Sequence, residues 1–95
     1  GSTPLIMACD YNNETIVTNL VMYGANVNQC DVNQCTPLLT ACRKNYESIA
    51  KYIIDHGAEI NHEDGDGITP LIAACKNGNV NIIQYLLDHG ADETK

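Results

Sequence analysis

Thr36-Pro37-Leu38-Leu39-Thr40-Ala41-Cys42-Arg43-Lys44-Asn45 decides the fold, because its opening returns at a fixed distance on either side. Thr3-Pro4-Leu5 precedes it by 33 residues, and Thr69-Pro70-Leu71 follows it by 33. A constant period of this length marks a repeat array, in which each unit buries its apolar face against its neighbours. Such an array presents an extended surface to a partner rather than a closed pocket to a substrate.

Within the quoted stretch, Thr36 suits a helix N-cap, and Pro37 suits the first helical position, where its missing N–H costs nothing. Leu38, Leu39, Ala41 and Cys42 supply a short apolar face. Asn45 stands where that helix must stop, with Asn12 and Gly78 as its equivalents. Gly and Asn are the residues that best tolerate a left-handed backbone. A second helix follows, carrying Ile49, Ala50, Ile53 and Ile54 at helical spacing. Gly24, Gly57 and Gly90 lie where a glycine should end each second helix. The run His62-Glu63-Asp64-Gly65-Asp66-Gly67 is too short for a third helix and too polar for a buried strand, so it predicts a projecting hairpin-like loop.

Helix, turn, helix and projecting loop at this period resemble the ankyrin repeat. The similarity rests on the three Thr-Pro-Leu openings and on the closing phrases Gly24-Ala25-Asn26-Val27-Asn28, Gly57-Ala58-Glu59-Ile60-Asn61 and Gly90-Ala91-Asp92. It implies an all-α solenoid with short β-hairpin-like finger loops, in one domain over 1–95. The units run over about 3–35, 36–68 and 69–95, and Gly1-Ser2 reads as a cloning remnant. Two departures bear on structure. The His that follows Thr-Pro-Leu in the family is replaced by Ile6, Leu39 and Ile72, exchanging polar stitching for apolar packing. Gln34 replaces the turn glycine that Gly67 supplies, which predicts a different bend in the first finger.

The 95 residues carry a net charge of −7, with twelve acidic and five basic side chains. That balance argues against a phosphate-backbone partner, which needs clustered Lys and Arg, and fits a basic or mixed protein partner. No apolar run approaches the ~20 residues of a membrane span. The core must be aliphatic, since there is no Trp or Phe. Cys9, Cys42 and Cys75 share one repeat position and read as small buried hydrophobes. With five cysteines, an odd number, the chain suits a reducing cytoplasmic or nuclear compartment.

Candidate chemistry is sparse. Cys30 and Cys35 flank the first finger tip, so a disulfide, or metal ligation with Asp31 and His62, stands beside the plainer reading of two free thiols. Glu63 to Gly67 lacks the closing Glu of a calcium loop. His56 and His89 precede closing glycines and read as helix-end residues. Neither a nucleophile with its base nor a cofactor motif is present, so neither an enzyme nor a cofactor is expected. Asn61 resembles the asparagine that asparaginyl hydroxylases modify in ankyrin repeats. Its ordinary role would be to brace a loop by hydrogen bonds to backbone.

The resemblance places the finger tips and first helices along one concave side. The finger column holds Cys30, Val32, Gln34 and Cys35, then Glu63, Gly65, Asp66 and Ile68. The groove column holds Met7, Asp10 and Tyr11, then Thr40, Arg43 and Lys44, then Ala73, Lys76 and Asn77. Asp10, Arg43 and Lys76 share a repeat position that changes from acidic to basic along the array. Such charges set orientation and on-rate, while Tyr11, Val32 and Ile68 are the expected affinity contacts. The function implied is a protein–protein interaction module binding a protein or peptide partner. The alternative is a structural or assembly unit of a longer array, self-associating through the apolar ends of the repeat stack.

Overall fold

The computed structural model describes residues 2–93; Gly1 of the expected remnant, and residues 94–95 of the third unit, lie outside the described residues. Six helices alternate with loops: α1 (Pro4–Asp10), α2 (Glu14–Met22), α3 (Pro37–Lys44), α4 (Glu47–Asp55), α5 (Pro70–Asn77) and α6 (Val80–Asp88). Each unit is an antiparallel pair, α1 with α2, α3 with α4 and α5 with α6. The first helices pack in one row through α1–α3 and α3–α5 contacts, and the second helices form another row through α2–α4 and α4–α6. The result is the expected all-α solenoid, with no strand among the described residues.

The repeated sequence acts through its caps. Thr3, Thr36 and Thr69 each accept, at Oγ1, the N–H of the residue three along, at 3.1, 3.3 and 3.2 Å. The following prolines begin α1, α3 and α5. Each first helix is stopped by a left-handed residue, Asn12 (φ 57), Asn45 (φ 63) or Gly78 (φ 69). Beyond the second helices, Gly24, Gly57 and Gly90 lie at φ 95 to 97, past the range an asparagine reaches comfortably, so glycine is required there. That geometry lets Ala25, Ala58 and Ala91 N–H reach back to the carbonyls of Leu20, Ile53 and Leu86 in the Schellman pattern.

The core threads through all three units. Leu38, Ile49, Ala50, Ile53 and Ala41 of the middle unit are essentially without exposure, as are Ile82 and Leu86 of the third. Asn28 and Asn61 brace neighbouring units rather than their own loops. Asn28 donates to the Gly57 carbonyl at 3.1 Å and accepts the Glu59 N–H at 2.7 Å. Asn61 does the same with Gly90, at 3.3 Å, and Asp92, at 2.8 Å.

The two fingers are the same turn, and the expectation of a different bend at Gln34 is not met. Asp31 and Asp64 N–H groups donate to the carbonyls of Cys35 and Ile68, each at 3.0 Å. Asp31 Oδ1 accepts from Asn33 and Cys35 N–H, and Asp64 Oδ1 from Asp66 and Ile68 N–H. Gln34 takes φ 65 where Gly67 takes φ 80. The side-chain cap holds the turn and forces Gln34 into a region that costs an L-residue about 1–2 kcal/mol. Gln34→Gly should therefore stabilise the chain by about 0.5–1 kcal/mol after allowing for the glycine's greater unfolded-state entropy. A rise in the urea midpoint at unchanged m-value would show it; a fall would mean that the Gln34 side chain contributes more than its backbone costs.

Candidate partner-binding groove

The first-helix row and the fingers enclose three clefts. The first, about 560 Å³, lies between α1, the first finger and α3, and is lined by Ile6, Met7, Asp10, Tyr11, Asp31, Cys35, Thr40, Arg43 and Lys44. The second, about 420 Å³, lies between α3, the second finger and α5, and is lined by Arg43, Asp64, Asp66, Ile68, Ala73, Lys76 and Asn77. A third, about 430 Å³, separates the finger tips between Val32, Asn33, Gln34, Arg43, Asp64, Gly65 and Asp66. Arg43 lines all three and so sits at the centre of the surface.

The expected contact residues fall into three kinds. Tyr11 and Val32 are each 75 % exposed, and Arg43, Lys44, Glu63, Asp66, Lys76 and Asn77 are exposed as well. Asp10 and Ile68 are half-buried. Cys35 and Thr40, by contrast, are only 5 % and 7 % exposed, so they form floor rather than rim. Thr40 turns its hydroxyl back to the Thr36 carbonyl at 3.1 Å and lies 3.4 Å from Cys35 Sγ. Glu63 stands outside these three clefts.

Charges in the groove are partly spent on the fold. Lys44 Nζ meets Asp10 Oδ1 at 3.1 Å, and that hydrogen bond holds the Lys44 ammonium above its ordinary pKa. The Asp64 carboxyl lies below the ordinary range, chiefly because the Ile68 N–H donates to it, with Asp66 N–H and the Arg43 guanidinium adding to the effect. Arg43 itself donates weakly to Cys35 Sγ at 3.6 Å. Lys76 has no ion-pair partner among the described residues.

Sequence reasoning missed two features. Asn77 donates to the carbonyls of Cys42 and Arg43, at 2.7 and 3.2 Å, so it caps the neighbouring helix besides facing the cleft. His62 Nε2 lies 2.8 Å from the Gln34 carbonyl, and Gly65 N–H donates to the Asn33 carbonyl at 2.9 Å. These two contacts lock one finger to the other. No signal inside one repeat could reveal either, because both partners belong to the preceding unit.

Cys30 and Cys35 are free thiols with different neighbours, Gln34 Oε1 at 3.7 Å for Cys30, and Thr40 and Arg43 for Cys35. Among the described residues no three His, Cys, Asp or Glu side chains gather to hold a metal ion, and no helix is long and apolar enough to cross a membrane. His56 and His89 direct Nδ1 to the carbonyls of Tyr52 and Tyr85, both at 2.8 Å, as helix-end residues do.

Comparison with known proteins agrees with this fold. A family model described as ankyrin repeats (3 copies) matches residues 1–64, and one described as ankyrin repeats (many copies) matches residues 53–94. The chain is similar to the crystal structure of the human ASB11 ankyrin repeat domain, at 31 % identity and a TM-score of 0.90. That match covers 96 % of this chain but only 41 % of the other. No curated protein matches the sequence.

Proposed function

The chain belongs to the ankyrin repeat family, whose members generally act as protein–protein interaction modules, and from that premise we propose that it binds a protein or peptide segment along the groove and fingers. The observation that carries the reading is the position of Arg43, exposed and shared by all three clefts. A partner laid along the groove would meet an apolar patch at Met7 and Tyr11, the Arg43 guanidinium, and then Ile68 and Lys76 beside Asp66. The fitting partner is a segment of mixed charge, with an acidic group against Arg43 or Lys76 and apolar side chains on either side. Binding, not catalysis, is the activity assigned, with protein rather than nucleic acid or membrane as the target. The free thiols suit a cytoplasmic or nuclear setting. Asn61, with both ends of its amide engaged, is assigned a bracing role, and hydroxylation there would have to leave those two bonds in place.

Affinity capture from the source cells tests the reading when the parent chain is compared with Arg43→Glu and with Val32→Asp/Ile68→Asp, all of matching helicity. A specific partner should be retained by the parent and reduced by at least ~10-fold by either variant. Equal retention by all three would place the binding surface elsewhere or remove it.

A further inference from the structure

Across the groove, charge is sorted by wall. The helix wall carries cations, Arg43 and Lys44 of α3 and Lys76 of α5. The finger wall carries anions, Asp31 on the first finger and Asp64 and Asp66 on the second. Asp10 also stands on the helix wall, where Lys44 neutralises it at 3.1 Å. The first cleft lies between the first and second units and the second between the second and third, so both walls of each cleft come from this chain. Neither Arg43 nor Lys76 makes an ion pair with Asp64 or Asp66 across the second cleft, so the two walls do not cancel. Donation from the Ile68 N–H, helped by the Asp66 N–H and the Arg43 charge, keeps the Asp64 carboxyl below its ordinary range, and the finger wall stays ionised.

Given that the groove takes a protein segment, we propose that it takes an extended one whose acidic and basic side chains alternate. The order acidic, basic, acidic is set against Arg43, then Asp64 and Asp66, then Lys76. Successive side chains of an extended chain point to opposite sides, so one row faces the helix wall and the other the finger wall. Arg43 and Lys76 share a repeat position on adjacent helices, whose axes pack roughly 8–10 Å apart. Same-side residues of an extended chain recur at about 6.5–7 Å, and the long Arg43 and Lys76 side chains take up the difference. The second finger shares its cleft with α3 and α5, which sets its two carboxylates opposite the intervening residue. A run of acidic residues would satisfy the helix wall only by setting every second carboxylate against Asp64 and Asp66. A basic run fails in the mirror sense, against Arg43 and Lys76. Like-charge juxtaposition suppresses wrong partners, so the groove discriminates by the order of charges rather than by their sum. A helical segment repeats its faces every 3.6 residues and does not divide opposite signs between two walls by simple alternation.

Three synthetic peptides of one composition, with equal numbers of Glu and Lys and the same apolar flanks, test the proposal by fluorescence anisotropy at low salt. One alternates Glu and Lys, one gathers them into two blocks, and one places them at helical spacing. All are neutral, so any general attraction to an acidic chain is common to the three. The alternating peptide should bind at least ~5-fold more tightly than either of the others. Arg43→Gln and Asp66→Asn should each lower that ratio, and the double variant should bring it near unity at unchanged helicity. A merely structural role for these side chains would instead weaken all three peptides alike. Equal binding of the three overturns the proposal, as does tighter binding of the blocked or helical peptide. So does an absence of binding to any of them, or a ratio that survives the double variant. In each of those cases, a cellular partner captured by the parent and lost by Arg43→Glu would still uphold the groove as a partner site, so the two readings fail separately.

Discussion

Leu38→Ala should lower the free energy of unfolding by about 3–4 kcal/mol, whereas Leu71→Ala, the same change at the same repeat position, should cost about 1–1.5 kcal/mol. Leu38 is wholly buried on α3, which packs against α1, α4 and α5, while Leu71 is only half-buried on the open face of the third unit. Truncating Leu38 removes its transfer energy and leaves a cavity that its packed core neighbours cannot fill. Truncating Leu71 leaves a shallow hollow that water and nearby side chains can occupy. In a repeat array, stability is close to a sum of intrinsic and nearest-neighbour terms. Damage at Leu38 therefore weakens the junction with the third unit as well as the middle unit itself. Against a total of about 5–15 kcal/mol for a domain of this kind, Leu38→Ala removes a large fraction. Urea denaturation followed by helical ellipticity measures both changes, and equal costs at the two positions would refute the assignment of Leu71 to an open face.

The difference between those two leucines also marks how far the sequence could be read. Thr36, Pro37, Asn45 and Gly57 are each decided by local chemistry, so caps and helix ends were legible unit by unit, and the fixed period then implied the stack. Orientation within a helix was harder. Thr40 lies three residues before Arg43 and so shares its helical face, yet its hydroxyl folds back on the Thr36 carbonyl and leaves the rim to Arg43. Gln34 breaks a local preference because the Asp31 side chain, two hydrogen bonds strong, dictates the turn. Cys75 matches Cys9 and Cys42 in sequence position but not in burial, since exposure depends on what stands beside a unit. Links between units, such as Asn77 to Cys42 and His62 to Gln34, required three-dimensional register that no single repeat encodes.

The matched thiols carry the second large effect, a loss of stability at alkaline pH. Burial pushes Cys9 and Cys42 from 9.0 up to about 12. In the folded chain both stay neutral until pH approaches that value, while in the unfolded chain they begin to ionise near 9. Between these limits the unfolded state binds fewer protons than the native state, so raising the pH favours unfolding. The contribution is fully present below pH 9 and is lost as pH rises toward 12. Each thiol supplies a slope of about 1.4 kcal/mol per pH unit, or about 2.7 kcal/mol for the pair. By pH 10.5 roughly 4 kcal/mol should be gone, enough to bring a small repeat domain close to its midpoint. Tyr85, whose phenol is held above its ordinary pKa of 10.0 by its hydrogen bond to Asp55, adds a loss of the same sign only above about pH 10. In the window from pH 9 to 10 the thiols therefore dominate, with Tyr85 and Lys44 entering mainly above it. Urea titrations across it should show a falling midpoint in the parent and a nearly level one in Cys9→Ala/Cys42→Ala, whatever that variant's starting stability. A parent midpoint that stays level through pH 10 would mean that burial does not raise these thiols in the folded chain.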